Sequence, residues 1–234
     1  MSSSSSDFQD FVGHLRAETL GGALEPKPRQ AVIRRAHAQY LALIALTGEL
    51  VHGHAGIALE YGDAGVSYLK EVVSDCSEFM ICNAVGLHRA AGGVLRSAIE
   101  SYLKAFAVAE VPTILCRTSV PEVFSDASLA EFFKGSVGPD LVAQLKVVYK
   151  SLNLYVHTVD DRHMFGAEAI GVYPVWSDKS EALVEKFVAV VRLFLYGAVA
   201  RRRDLYDQFD HRNKVLINRA MTRPQRRKAL GVDD

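Results

Sequence analysis

From Arg29 to about Tyr61, Val32, Ile33, Ala36, Tyr40, Leu43 and Ile44 recur at spacings of three and four, and Leu50 and Val51 resume the stripe beyond Thr47. That is the period of one face of an α-helix; a half-buried strand would need a period of two. The same pattern returns along VSYLKEVVSDCSEFMICNAVGLHRAAGGVLRSAIESYLKAFAVAEVP, PDLVAQLKVVYKSLNLYVHTVDD and SDKSEALVEKFVAVVRLFLYGAVARRRDLYDQF. Segments of this kind bury their stripes by packing helix on helix. With no βαβ alternation, internal repeat or glycine-rich phosphate loop, the expected fold is all-α, a helical bundle with long antiparallel helices.

The breaks come from glycine and proline. YGDAG punctuates the first helix near residues 61–65, and the run that follows is too long for one unstrained helix, so Gly86 or Gly92–Gly93 marks a break or a close helix contact. After Pro112 an irregular connector includes TSVPEVFSD, then come a short helix near 126–134 and another from about Pro139 to His157. HMFGAEAIGVYPVW reads as loop, and Ser177 or Ser180 is an N-cap for a long final helix. The chain divides into residues 1–27, a polar segment with a short amphipathic helix; 28–221, the bundle; and 222–234, a basic tail without apolar periodicity that the fold is expected to spare.

Of the 234 residues 49% are hydrophobic, enough for a core without staples. Three cysteines, Cys76, Cys82 and Cys116, make no disulfide framework, and the polar start lacks a secretory apolar region, so a cytoplasmic protein is expected. Glu185, Lys186 and Arg192 interrupt the most apolar window, 183–199, and no membrane span is expected. The formal net charge of zero conceals a basic end: residues 201–228 carry ten Lys or Arg against three Asp. Such a run suits an anionic partner, although the interleaved charges of RRRDLYDQFDHR favour a solvated helix face.

Two helices carry polar lines beside their apolar stripes. In HRAAGGVLRSAIESYLKAF, Arg89, Arg96, Glu100 and Lys104 lie at offsets of seven, four and four and share a face, as in an exposed salt-bridge ladder. In PDLVAQLKVVYKSLNLYVHT, Lys146, Lys150, Asn153 and His157 lie at offsets of four, three and four. Imidazole accepts a proton near neutral pH and a lysine holds a phosphate, so this line has the ingredients for cleaving a phosphodiester without metal; a helix-capping His157, favoured by the helix dipole, is the alternative. Zinc ligation by Cys76, Cys82 and His88 fits poorly, because spacings of six do not share a helical face. No cofactor is expected.

RSAIESYLKAF, with an Arg four residues before a Glu, together with LNLYVHT at the end of a later helix, resembles the HEPN superfamily, particularly its abortive-infection and toxin-like members, over roughly residues 66–200. The resemblance implies a compact helical bundle, frequent homodimers, and metal-independent RNA endonuclease activity in phage defence or toxin–antitoxin systems. It makes His157, Lys150 and Arg96 the catalytic candidates, with Asn153, Glu100, Lys146 and Arg89 for binding and Glu100 holding Arg96. The family pairs its histidine with an arginine, about four to six residues lying between the two; here no arginine stands at that distance, and Lys150, six intervening residues before His157, is the nearest base. The expected partners are RNA, a second copy, and a protein such as an antitoxin. A non-catalytic helical module binding another protein or RNA is the alternative function.

Overall fold

The computed structural model describes residues 6, 8–9, 12–13, 27–53, 56–156 and 176–231. Among them nine α-helices pack against one another and no strand occurs: α1 Lys27–Gly48, α2 Gly56–Ala84, α3 His88–Ala107, α4 Val120–Ala127, α5 Gly138–Val156, α6 Asp178–Arg201, the single turn α7 Arg203–Tyr206, α8 His211–Ala220 and α9 Arg223–Leu230. The fold is an all-α helical bundle, and no helix among the described residues is long and apolar enough to cross a membrane.

α6 is the central helix. Its residues from Leu193 to Val199 are all buried, nearly two full turns without a solvent face, which identifies a helix enclosed by others. Phe187 stacks on Phe79 of α2 at 4.6 Å, and Phe194 stacks on Tyr102 of α3 at 4.2 Å. Tyr102 also donates its hydroxyl to the Phe194 carbonyl, 3.1 Å away. Gly197 sits where α3, α5 and α6 meet: a Cβ there would lie 2.4 Å from a Leu141 methyl and 2.7 Å from the Tyr102 oxygen. A serine box starts α6, with the Ser177 backbone N–H donating to Ser180 Oγ at 3.2 Å.

α2 and α3 form an antiparallel hairpin closed at Gly86, whose φ of 81° only glycine adopts at little cost. The turn therefore falls at one expected glycine, and the other marks a close contact: a Cβ on Gly92 would lie 2.9 Å from the Tyr155 Cβ on α5. α5 runs antiparallel to α3, so its end, Tyr155 and Val156, lies beside the start of α3. The YGDAG punctuation also appears, as a kink at Gly62 (φ 68°) within α2.

Tertiary contacts move several boundaries. The first long helix stops at Gly48 and opens into a π-helical turn, Glu49–Gly53. Buried Glu49 accepts from the Asp210 backbone N–H at 2.9 Å and from Asn213 at 2.7 Å, so the turn is spent anchoring the start of α8. α4 begins at Val120, earlier than expected, because Pro121 fits the first turn of a helix; residues 131–133 form only a 3-10 turn. The final helix stops at Arg201. The tail is packed rather than loose: Thr222 and Gln225 form a capping box, Ala229 is buried, and α9 lies against α6. Phe8 and Val12 are helical and buried, with the Arg34 guanidinium 4.8 Å over the Phe8 ring. The loop expected over HMFGAEAIGVYP lies outside the described residues.

Candidate functional site

The seam between α3 and α5 carries a hydrogen-bonded network. Arg96 on α3 donates from Nη2 to the Tyr149 hydroxyl at 2.7 Å, and that hydroxyl donates to Glu100 Oε1 at 2.7 Å. The guanidinium also lies 4.5 Å over the Tyr149 ring. Glu100 thus steadies Arg96 through a phenol. Burial, with the Glu100 carboxylate beside it, pushes the Tyr149 phenol up to about 12, so it stays protonated at neutral pH and serves as a relay of orientation rather than a nucleophile.

Arg96 and Glu100 are half-buried, and both belong to this network. On α5, Lys146, Asn153 and Lys150 fall within about 100° of Tyr149 on one side of the helix, by the 3.6-residue turn. Lys146 and Lys150 are exposed; Asn153 is half-buried, with an enclosed Oδ1 that has no hydrogen-bond partner among the described residues. Arg89 is exposed near the start of α3. His157 lies outside the described residues, one position past Val156. His14, His54 and His163 also lie outside them.

Tyr149 is the member that spacing missed. It sits in the apolar stripe between Leu145 and Leu152, and the available signal was its chemistry: a buried tyrosine needs a partner for its hydroxyl. A second missed residue is Asp75, which interrupts the α2 stripe of Leu69, Val72, Cys76 and Phe79. Its carboxylate accepts from Ser101 at 3.4 Å, and burial pushes its pKa up to about 6 against the opposing Ser97 and Ser101 hydroxyls, with Glu71 and Glu78 adding to the rise. It lies next to an open polar groove of about 330 Å³ between α2 and α3, lined in part by Glu71, Ser101, Glu100 and Lys104, with the Lys104 ammonium 5.6 Å over the Tyr68 ring. Glu100 joins this groove to the Arg96 network.

Asp75 makes stability depend on pH. Between its ordinary 3.8 and about 6 the folded chain holds a proton that the unfolded chain has released, so its contribution is present below the lower value and lost as pH rises through the upper one. Asp75→Asn is expected to raise Tm at pH 8 by about 2–4 °C, roughly 1 kcal/mol, and to leave it nearly unchanged at pH 4. Thermal melts at both pH values decide it; equal shifts would remove the charge from the explanation.

His88 makes an architectural contact. His88 Nε2 lies 2.7 Å from Ser180 Oγ, and Ser180 is fully enclosed at the start of α6, so the pair latches two helix starts together. Burial, with Lys179 nearby, holds the imidazole below its ordinary range. Cys76 and Cys82 are buried, burial pushing both thiols up, and among the described residues no group of three or more His, Cys, Asp or Glu is arranged to hold a metal ion. In comparisons with known proteins, no family model, curated protein or solved structure matches this chain.

Proposed function

We propose that this bundle is a metal-independent endoribonuclease of the HEPN kind, working along the seam of α3 and α5. One observation supports the reading above others: the Arg96–Tyr149–Glu100 network holds a guanidinium beside the α5 edge that carries Lys146, Lys150 and Asn153 and precedes His157 in the chain. In this reading His157 takes the proton of a ribose 2′-hydroxyl. The 2′ oxygen bonds to the neighbouring phosphorus as the bond to the 5′ oxygen breaks, leaving a 2′,3′-cyclic phosphate and a 5′-hydroxyl end. Arg96 and Lys150 stabilise the charge that grows on the phosphoryl oxygens, Asn153 orients the phosphate, and Lys146 and Arg89 hold the flanking backbone. Phage defence or a toxin–antitoxin system is the setting this activity fits.

The test is cleavage of total RNA by the purified full chain with excess chelator present. Cleavage should persist, and the fragments should end in 2′,3′-cyclic phosphate. Absence of cleavage, loss of it with chelator, or 3′-hydroxyl ends would each overturn the reading. A second reading, a non-catalytic binding module, is favoured by a different observation: the outward face of α5 exposes Val147 and Leu154.

A further inference from the structure

The interleaving of charge in RRRDLYDQFDHR stops at Asp210. From His211 to Leu230 the chain carries seven Lys or Arg and no Asp or Glu. These residues make α8 and α9, two short helices whose apolar side chains are already turned inward: Ile217, Ala220, Met221 and Ala229 are buried. At the elbow between them the Ala220 carbonyl accepts from Gln39 of α1 at 3.2 Å and from Arg192 of α6 at 3.1 Å. What the pair presents to solvent is charge.

Two of these cations are answered within the fold. Lys228 lies 3.6 Å from Asp140, and Lys214 donates to the Asp207 carbonyl at 2.7 Å. Arg212, Arg219 and Arg223 are exposed, and their side chains meet no carboxylate among the described residues. Arg212 and Arg219 lie seven apart on one side of α8, and Arg219 and Arg223 flank the elbow, so the line passes from one helix to the next. At the far end of α9 Arg203 reaches in: a Cβ on Gly231 would lie 2.6 Å from its Nη1.

Their positions oppose the stability of the helices that carry them. Arg212 is the second residue of α8 and Arg223 the first of α9, and neither helix has an acid in its first turn. The positive end of a helix dipole disfavours a cation there and favours an anion. Arginines so placed weaken the isolated fold and become favourable once an anion lies across them.

The occupant follows from what the surface lacks. A membrane-surface helix turns apolar side chains toward the acyl chains, and a protein interface has an apolar centre, whereas Pro224 is the one exposed apolar side chain on α8 and α9. Single strands are gripped by stacking their bases on aromatic rings, and Tyr206 and Phe209, the aromatics nearest this surface in the chain, are buried. Repeated phosphates with the bases turned inward fit what is left, and the planar guanidinium bonds phosphate oxygens in pairs.

We infer that α8 and α9 form a nucleic-acid surface separate from the proposed cleavage seam, holding the sugar-phosphate backbone of a duplex through Arg212, Arg219 and Arg223 without reading its sequence. It does not depend on cleavage, since α8 packs on α1 and α9 on α6, while the Arg96 network belongs to α3 and α5.

The probe is a fluorescein-labelled DNA duplex of about 20 base pairs, which lacks the 2′-hydroxyl that cleavage would use. By anisotropy the full chain should bind it with an affinity that falls as salt rises. The triple replacement Arg212→Ala, Arg219→Ala and Arg223→Ala should weaken binding by about tenfold or more and reduce the slope of log K against log salt by about 2–3. That variant should melt at or slightly above the wild-type temperature, because it removes cations from two helix starts. Lys146→Ala with Lys150→Ala should leave duplex affinity within about twofold, which separates this surface from the seam. Failure of the duplex to bind, an unchanged salt slope in the arginine variant, or loss of binding in the lysine variant overturns the inference. So does displacement of the duplex by poly-glutamate at equal charge, which reduces the surface to cation exchange. Tighter binding of the unpaired strand gives the face to single strands, and arginine-dependent sedimentation with phosphatidylserine vesicles gives it to a membrane.

Discussion

RNA cleavage, read as initial rates per folded molecule, is expected to fall by about 10²–10³-fold in Arg96→Ala and by about 10²–10⁴-fold in His157→Ala. The two losses have different origins. In the proposed reaction His157 is the base, so its removal takes away the proton acceptor itself. In the same proposal Arg96 stabilises the transition state, so its loss should appear in kcat, with KM little changed. Arg96→Lys keeps the charge but loses the planar group that stacks on Tyr149 and should recover only part of the rate. Tyr149→Phe is a finer probe. It keeps the ring under the guanidinium and deletes the hydroxyl between Arg96 and Glu100, so it should slow cleavage by about tenfold through misplacement of Arg96. Unchanged cleavage in either alanine variant, at unchanged fold, would sink the catalytic reading and leave the binding module.

The architecture was legible in the sequence because it depends on period, and period survives without tertiary information. Stripes at three and four gave α1, α2, α3, α5 and α6; glycines gave the turn at Gly86, the contact at Gly92 and the kink at Gly62. Boundaries set by distant partners were not legible. The end of α1 depends on Glu49 reaching the start of α8, some 160 positions away in the chain. The packing of the tail was not legible for a related reason: TRPQRRKALGVDD has no stripe, yet α9 needs only Ala229, Leu230 and a capping box to lie on α6.

The site was legible by half. Arg96 and Glu100 announced themselves as a pair four residues apart, and the structure links them, but through Tyr149, a residue that pattern reading assigns to the core. Its ring is indeed buried; its hydroxyl carries the polar contact. Asp75 was hidden in the same way, a carboxyl inside an apolar stripe whose Ser97 and Ser101 partners come from the next helix. Buried polar residues take their meaning from the element opposite them, and a single sequence does not say which element that is.

Tyr102→Ala should cost about 3–5 kcal/mol of stability and lower Tm by about 6–20 °C. The ring is 2% exposed and stacks on Phe194 at 4.2 Å, while Phe106, Phe132 and Phe133 meet it at tilted or edge-on angles. Truncation to alanine removes the partner of four aromatic rings at once, and the glycine contact at 197 leaves α5 and α6 already too close to collapse into the space. Tyr102→Phe separates packing from hydrogen bonding: it loses only the bond to the Phe194 carbonyl, which costs about 1 kcal/mol. Urea titrations of the three proteins should show parallel slopes with displaced midpoints, the alanine variant far below the other two. Because Tyr102 and Arg96 lie on the same helix, α3, Tyr102→Phe should keep cleavage near wild type, whereas Tyr102→Ala should lose it on warming well before Arg96→Lys unfolds. An alanine variant within about 1 kcal/mol of wild type would mean that α3, α5 and α6 are not locked together at this junction.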